Sequence, residues 1–310
     1  MDFLIADKIN KSFNEHKALD DISLSIPQGS IFGMLGPNGA GKTTFIRIIN
    51  RIIGADSGDI FIDGEKLNRR HIEIIGYLPE ERGLYKRMKV GEQAVYLAML
   101  KGLSERDAKV KLKQWFEKFE LMSWWNKKVE ELSKGMQQKI QFIVTILHNP
   151  RLLIFDEPFS GFDPINAKLL KEEILNLRNN GATIIFSTHN MESVEEICDR
   201  IALINKSKLV MEGKVSEIKN SYRTNIFEVE YRPFDKRIDS FIHDNFKVLS
   251  RRDTLLGKSA RIKIPDENDT NKLLQIFMNN ARIIKFSEII PTMNEIFISK
   301  VNRENKINEK

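Results

Sequence analysis

Cysteine is almost absent from this 310-residue sequence: Cys198 stands alone, beside five histidines. A single thiol excludes an internal disulfide, and histidines this scattered do not assemble a structural zinc site, so Cys198 reads as a small apolar side chain on a helix. No apolar run approaches the roughly 18 residues of a membrane-crossing helix, and Met1 to Asn10 lacks the basic and apolar regions of a signal peptide. A cytoplasmic chain is expected. Nor does charge of one sign collect anywhere. The net charge of +6 comes from 49 basic and 43 acidic residues dispersed along the chain, which predicts a solvated surface with no assigned function. There is also no sustained heptad run. The length suits two domains, each able to bury its own core.

Against these absences stands Gly36-Pro37-Asn38-Gly39-Ala40-Gly41-Lys42-Thr43-Thr44, which satisfies G-x-x-x-x-G-K-[ST]. The apolar run Ile31 to Leu35 before it suits a buried parallel strand, and Phe45 to Ile49 continues as a helix. Glycines at 36, 39 and 41 let successive backbone N–H groups and the positive end of that helix converge on a triphosphate. Lys42 then reaches the β- and γ-phosphates, and the Thr43 hydroxyl completes a Mg²⁺ shell. Upstream, Phe3 to Asn10 and Asp21 to Pro27 read as strands around a polar turn, Asn14 to Lys17. Phe13, just before that turn, is either a hairpin packing residue or a platform that stacks on a purine.

Downstream, Gly58 to Asp63 and Ile72 to Leu78 read as strands, the second broken abruptly by Pro79-Glu80-Glu81-Arg82-Gly83. From Val90 to His148 the pattern turns helical. Ala108, Leu112, Trp115, Phe119 and Met122 share one helix face, and Trp124 and Trp125 in the connection that follows either pack against neighbouring helices, the favoured reading, or meet a partner. Ser133 and Gly135 open the next helix, either as an N-cap with a small neighbour or as a second anion site. Leu152 to Glu157 is a buried strand that ends in two carboxylates, costly to desolvate unless a metal or partner compensates. Asp156 is expected to hold Mg²⁺ and Glu157 to act on the attacking water as general base. Asp163 and Pro164 start a helix as N-cap and first residue. His189 follows the strand Thr183 to Phe186, at the end where parallel sheets place ligands, which favours a γ-phosphate contact.

In this order, roughly the first 220 residues resemble the nucleotide-binding subunit of ATP-binding cassette (ABC) transporters. Leu132 to Gln138, similar to the family signature, is the discriminating segment. The resemblance implies an α/β P-loop fold with a helical subdomain at about 85–149, and head-to-tail dimers that enclose two ATP molecules. Ser133, Gly135 and Gln137 of one subunit would meet the nucleotide held by Gly39, Lys42 and Thr43 of the other. It further implies that Phe13 stacks on adenine, that Asp163 belongs to the loop communicating across the dimer, and that His189 is the switch histidine. One departure is Glu80, where the family usually has a glutamine that touches Mg²⁺ and leads to the membrane subunit. A carboxylate there still coordinates the metal but repels the γ-phosphate. A second is Phe162, where leucine is common.

Residues 224–301 read as strand, helix (Asp235 to His243), strand, strand, helix, strand and a closing helix after Pro291, the order of a small α+β ferredoxin-like domain. Similar appendages occur on cassette subunits of bacterial sodium or drug exporters, which suggests export. Asn302 to Lys310 reads as a disordered polar tail. The expected protein is an ATPase at the cytoplasmic face of the membrane, using ATP and Mg²⁺. Its partners would be a polytopic permease and a second cassette, identical or related, with no nucleic acid. A soluble cassette ATPase acting on ribosomes or nucleic acid is the alternative. Such relatives usually carry two cassettes or a long coiled coil, which this chain does not. A small-molecule kinase leaves Leu132 to Gln138 unexplained.

Overall fold

The computed structural model describes residues 1–81, 83–234 and 238–308. Its backbone divides into two units, Met1–Val215 and Ser216–Lys310. Two long strands open the first, β1 (Asp2–Phe13) and β2 (His16–Pro27), antiparallel and with Phe13 opposite His16 at their turn. β3 (Ile31–Leu35) is buried at all five positions and runs into α1 (Lys42–Ile49). β4 (Ser57–Ile62) and β5 (Glu65–Lys66) complete an antiparallel sheet of order β2-β1-β4-β5.

A second sheet carries the chemistry. β6 (Ile75–Leu78) leads into three helices, α2 (Val90–Leu100), α3 (Glu105–Lys118) and α4 (Lys134–Ile146), before β7 (Leu152–Asp156), α5 (Pro164–Asn179), β8 (Thr183–Ser187), α6 (Met191–Ile197), β9 (Arg200–Asn205) and β10 (Lys208–Lys214). The order is β10-β9-β3-β8-β7-β6, parallel except for β10 at one edge. β3, β7 and β8 are buried on both faces, which is why they read as continuous apolar runs rather than alternating ones. Parallel pairing also brings the C-terminal ends of β3, β7 and β8 to one edge, where Gly36, Asp156 and Ser187 emerge.

Two expectations about the first unit are corrected here. The first half of Ile72 to Leu78 is not strand: Arg69–Ile74 is a 3-10 turn, capped by the Asn68 side chain, with Asn68 N–H donating to His71 Nδ1 at 3.0 Å. That local capping outweighs the β-propensity of the isoleucines. The buried face of α3 is Ala108, Leu112 and Phe116; Trp115 is half-buried and Met122, in a separate 3-10 turn, is exposed. The helix ends at Phe119, so a 3.6-residue stripe cannot continue to Met122. Trp125 packs edge-on against Phe116 at 5.1 Å between ring centres. It also lies so close to Gly91 that a Cβ there would clash with the indole.

A helix, α7 (Val215–Ser221), spans the boundary between the units. The second unit runs β11 (Ile226–Pro233), α8 (Ile238–Asn245), β12 (Lys247–Thr254), β13 (Gly257–Lys263), α9 (Thr270–Asn280), β14 (Ala281–Glu288) and α10 (Met293–Asn308). Its antiparallel sheet, order β12-β13-β11-β14, is the split-βαβ arrangement of a ferredoxin-like domain. Tyr231 and Phe277 meet edge-on in its core at 4.9 Å. Of the expected helix Asp235 to His243, residues 235–237 lie outside the described residues, as does Arg82. The segment from Asn302, read as a tail, instead continues α10 to Asn308, while 309 and 310 lie outside. Thr292 and Glu295 cap that helix reciprocally, and an established helix extends at little cost per residue.

Candidate active site

The phosphate loop is shaped by how closely other strands pass it. Gly36 (φ 148°) and Gly41 (φ 114°) lie in backbone conformations that favour glycine, and a Cβ at either would run into a carbonyl oxygen, of Ile204 and Ala18 respectively. Gly41 is the N-cap of α1, so the helix begins at Lys42 with its free N–H groups facing the loop. Lys42 is buried, and its Nζ donates to Gly36 O at 2.7 Å and Pro37 O at 3.1 Å. Burial pushes its ammonium below the ordinary lysine range, against the opposing pull of Glu157, Asp156 and Glu80.

Beside the loop lies a cleft of about 380 Å³. Phe13 and His16 line it at the β1–β2 turn, Asn38, Gly39 and Thr44 on the loop and α1, and Glu80 after β6. Asp156 and Glu157 enter from the end of β7, Ser187 and His189 from beyond β8. Asp156 is 3% exposed, and burial, reinforced by the neighbouring carboxylates of Glu80 and Glu157, raises its pKa. The Thr43 hydroxyl lies 3.5 Å from Asp156 Oδ2. Asp156, Thr43 and Glu80 are hard oxygen donors of the kind Mg²⁺ takes. Among the described residues no three His, Cys, Asp or Glu side chains form a metal group by themselves.

Glu157 turns the chain sharply. Its φ of 48° is left-handed, and its N–H donates to Ser187 O at 2.9 Å, so its side chain points back across the sheet edge. Both carboxylate oxygens are engaged: Oε1 accepts from the His189 backbone N–H at 2.9 Å and lies 2.7 Å from His189 Nδ1, while Oε2 accepts from the Thr188 hydroxyl at 3.2 Å. An ionised Glu157 makes Nδ1 the protonated ring nitrogen. The same Thr188 oxygen accepts from Asn190 N–H at 3.0 Å, which fixes the hydroxyl.

Other predicted site residues lie apart from this cleft in the single chain. Ser133 caps α4 through Met136 N–H, Gly135 faces Gly161 O and the Phe162 ring, and the Gln137 amide donates to the carbonyls of Val129 and Leu132. Gln137 therefore braces its own loop. Asp163 caps α5, accepting from Ile165 and Asn166 N–H, and these bonds hold its carboxyl below the usual range. Pro37 and Ala40 shape the loop, with Ala40 N–H donating to Pro37 O at 3.2 Å. His16, Ala18, Ser187 and Thr188 were not singled out by sequence. His16 and Ala18 have one signal, the two-residue period that follows Phe13 around the hairpin.

Comparison with known proteins gives this geometry its family. The ABC transporter model matches residues 19–160, and a model described as "ATP-binding protein DrrA1-3-like, C-terminal domain" matches 213–301. The chain is similar to the uncharacterized ABC transporter ATP-binding protein YhaQ of Bacillus subtilis, 44% identical over 96% of this chain and 98% of that one. It is also similar to LptB, the ATP-binding protein of the lipopolysaccharide export system of Haemophilus influenzae, 31% identical over 71% of this chain and 94% of that one. A solved structure of the ATP-binding subunit of an ABC transporter superposes with a TM-score of 0.66 at 28% identity, over 71% of this chain and 93% of that one. The chain belongs to the ATP-binding subunits of ABC transporters. It is an ATPase whose hydrolysis is coupled to transport, and action on ribosomes or nucleic acid is not favoured. No described helix is long and apolar enough to cross a membrane; subunits of this family work with membrane permeases.

Proposed function

We propose that this chain drives an exporter from the cytoplasmic face of the membrane, as one of two cassettes that close over ATP beneath a polytopic permease. Export is supported by the export system to which LptB belongs and by the match of residues 213–301 to a DrrA1-3-like C-terminal domain. An apolar groove of about 400 Å³ beside Pro79, lined by Tyr77, Leu84, Leu97, Leu100 and Val144, suits a permease segment.

In the proposed site, Phe13 stacks on the base, the loop from Gly36 to Thr44 wraps the phosphates, and Lys42 neutralises β- and γ-oxygens. Thr43, Asp156 and Glu80 hold Mg²⁺. A bound magnesium ion supplies charge neutralisation across those phosphate oxygens. Glu157 takes the proton from the attacking water, and His189, hydrogen-bonded to it, keeps the carboxylate aimed. Ser133 and Gly135 complete the site from the opposite subunit, with Asp163 at the junction, because a single chain leaves them outside its own cleft. Gln137 supports that signature loop from behind.

The observation that carries this reading is Glu157, held by His189 and Thr188 in the cleft that also contains Lys42. Affinity purification of the tagged chain from gently solubilised native membranes tests the assembly. A polytopic membrane protein in fixed stoichiometry is expected; recovery from the soluble fraction with ribosomes or DNA alone would overturn it.

A further inference from the structure

The second unit ends in an apolar point that its own fold does not use. β12 and β13 are joined by just two residues, Leu255 and Leu256, with Thr254 paired to Gly257 across the turn. Two-residue hairpin connections ordinarily take Asn, Asp or Gly, whose backbones and polar side chains suit a solvated bend. Leucine has no such reason to be there. Leu255 is 104% exposed and Leu256 50%, and neighbouring Phe234, just beyond β11, is 73% exposed. Phe234 belongs to the same end of the sheet, because Arg232 Nε donates to Leu256 O and Phe234 N–H donates to Asn280 O at the start of β14.

The point is held stiffly. Gly257 N–H donates to the Thr254 hydroxyl at 3.1 Å, and Gly257 passes so close to Tyr231 O that no side chain fits there. The leucines are therefore presented in a fixed place rather than left on a loose loop, which lowers the ordering cost of any contact they make. Around them three basic side chains stand against two acidic ones, Asp253 and Glu230, the latter accepting from the Thr254 hydroxyl at 2.6 Å. Arg232 and Arg282 are cross-strand partners with both side chains exposed, and exposed Lys258 is the first charged residue after the turn, with Asp253 as its register partner. Like charges placed directly opposite disfavour the bare sheet end and favour an anionic surface against it.

We propose that this point is a membrane contact: Leu255, Leu256 and Phe234 enter the interfacial layer of a bilayer, and Arg232, Lys258 and Arg282 meet anionic phospholipid headgroups. A small apolar projection with a basic collar is what shallow interfacial binding requires. A second copy fits less well. Three side chains fall far short of the roughly 1,200 Å² of a stable interface, and two such collars repel. Single-stranded nucleic acid would need stacking faces, and two of the three apolar groups are aliphatic.

The test uses the purified full chain without any permease, so its outcome is separate from the nucleotide-site assignments. Sedimentation with vesicles of phosphatidylglycerol and phosphatidylcholine should exceed that with phosphatidylcholine alone by about 100-fold in partition coefficient, and should weaken as salt is raised. The double variant Leu255→Asp, Leu256→Asp should bind the anionic vesicles about 10-fold more weakly or worse, with an unchanged circular dichroism spectrum and unfolding profile of the full chain as the check on folding. As a second readout, an environment-sensitive fluorophore on Leu255→Cys should shift to the blue with anionic vesicles. Equal binding to both vesicle types, equal binding by the double variant, or an unshifted fluorophore overturns the proposal. So does concentration-dependent dimerisation that the double variant abolishes while vesicles bind neither form.

Discussion

Glu157→Gln should separate chemistry from binding at the proposed site. The amide copies the carboxylate's shape, its Oε1 still accepts from the His189 backbone N–H, and its Nε2 turns to the Thr188 oxygen now 3.2 Å from Oε2. Each existing hydrogen bond survives or reverses direction, so the fold should lose less than about 1 kcal/mol. What disappears is the basic lone pair. A positioned general base contributes about 10²–10⁴ in rate, or roughly 3–5 kcal/mol of barrier. Phosphate release under saturating Mg²⁺ and ATP should fall by about that factor. ATP affinity, measured by equilibrium dialysis, should stay within about threefold, because Lys42 and the loop glycines are untouched. The variant should therefore accumulate as the ATP-bound dimer. Thr188→Val makes a graded control: it removes one donor but leaves the base, so turnover should drop by about 10-fold at most. A Glu157→Gln enzyme that hydrolyses within threefold of the parent, with the same assay resolving the Thr188→Val loss, would refute the general-base assignment.

Ser133→Arg should abolish hydrolysis while leaving ATP binding to the monomer intact, since Ser133 stands outside its own chain's cleft; loss of binding by dialysis would count against a site completed in trans. Lys118→Met strands the Glu173 carboxylate, 5% exposed and paired at 2.6 Å with Lys118, and should cost about 1–2 kcal/mol in urea unfolding, discounted for the half-exposed lysine. Adding Glu173→Met should recover part of that loss, and simple additivity of the two variants would refute coupling between α3 and α5. Stability should also depend on His148, whose pKa burial, with Lys101 nearby, pushes down to about 4. Its depressed value means that the unfolded chain binds a proton below about pH 6.5 that the folded chain refuses, so stability falls as pH drops through this window. Against His148→Leu, the parent should lose about 1 kcal/mol more between pH 7 and pH 5, partial exposure allowed for; parallel pH profiles would remove His148 as the cause.

The elements that frame the candidate site were legible where they lie along one stretch of chain. The loop from Gly36 to Thr44 and the strand ending in Asp156 and Glu157 announce themselves because each packs its determinants within a few residues. The βαββαβ order of the second unit was legible for a related reason: short strands and amphipathic helices alternate with clear turns. What sequence left out depends on tertiary proximity. Thr188 fixes Glu157 only because β7 and β8 are adjacent, and His16 reaches the cleft only because the β1–β2 hairpin folds over the loop. Trp115 misled because one-dimensional spacing cannot tell which neighbour, Trp115 or Phe116, a helix turns inward. Gln137 is read as a ligand contact together with its signature segment, and in the single chain its side-chain NH₂ donates to the carbonyls of Val129 and Leu132. Asn68 and His71 converted isoleucine-rich sequence into a 3-10 turn through two local hydrogen bonds that propensity does not register.

On the proposed general-base role, the left-handed backbone of Glu157 sets folding and turnover against each other. A non-glycine residue held there forgoes about 1 kcal/mol or more that glycine would recover, yet glycine has no carboxylate to offer water. Glycine here would relieve the backbone but lose the carboxylate's hydrogen bonds to Thr188 and His189, so its two effects on stability oppose each other. An engineer seeking a sturdier pump subunit should look for stability elsewhere in the chain and leave this one strained residue as it is.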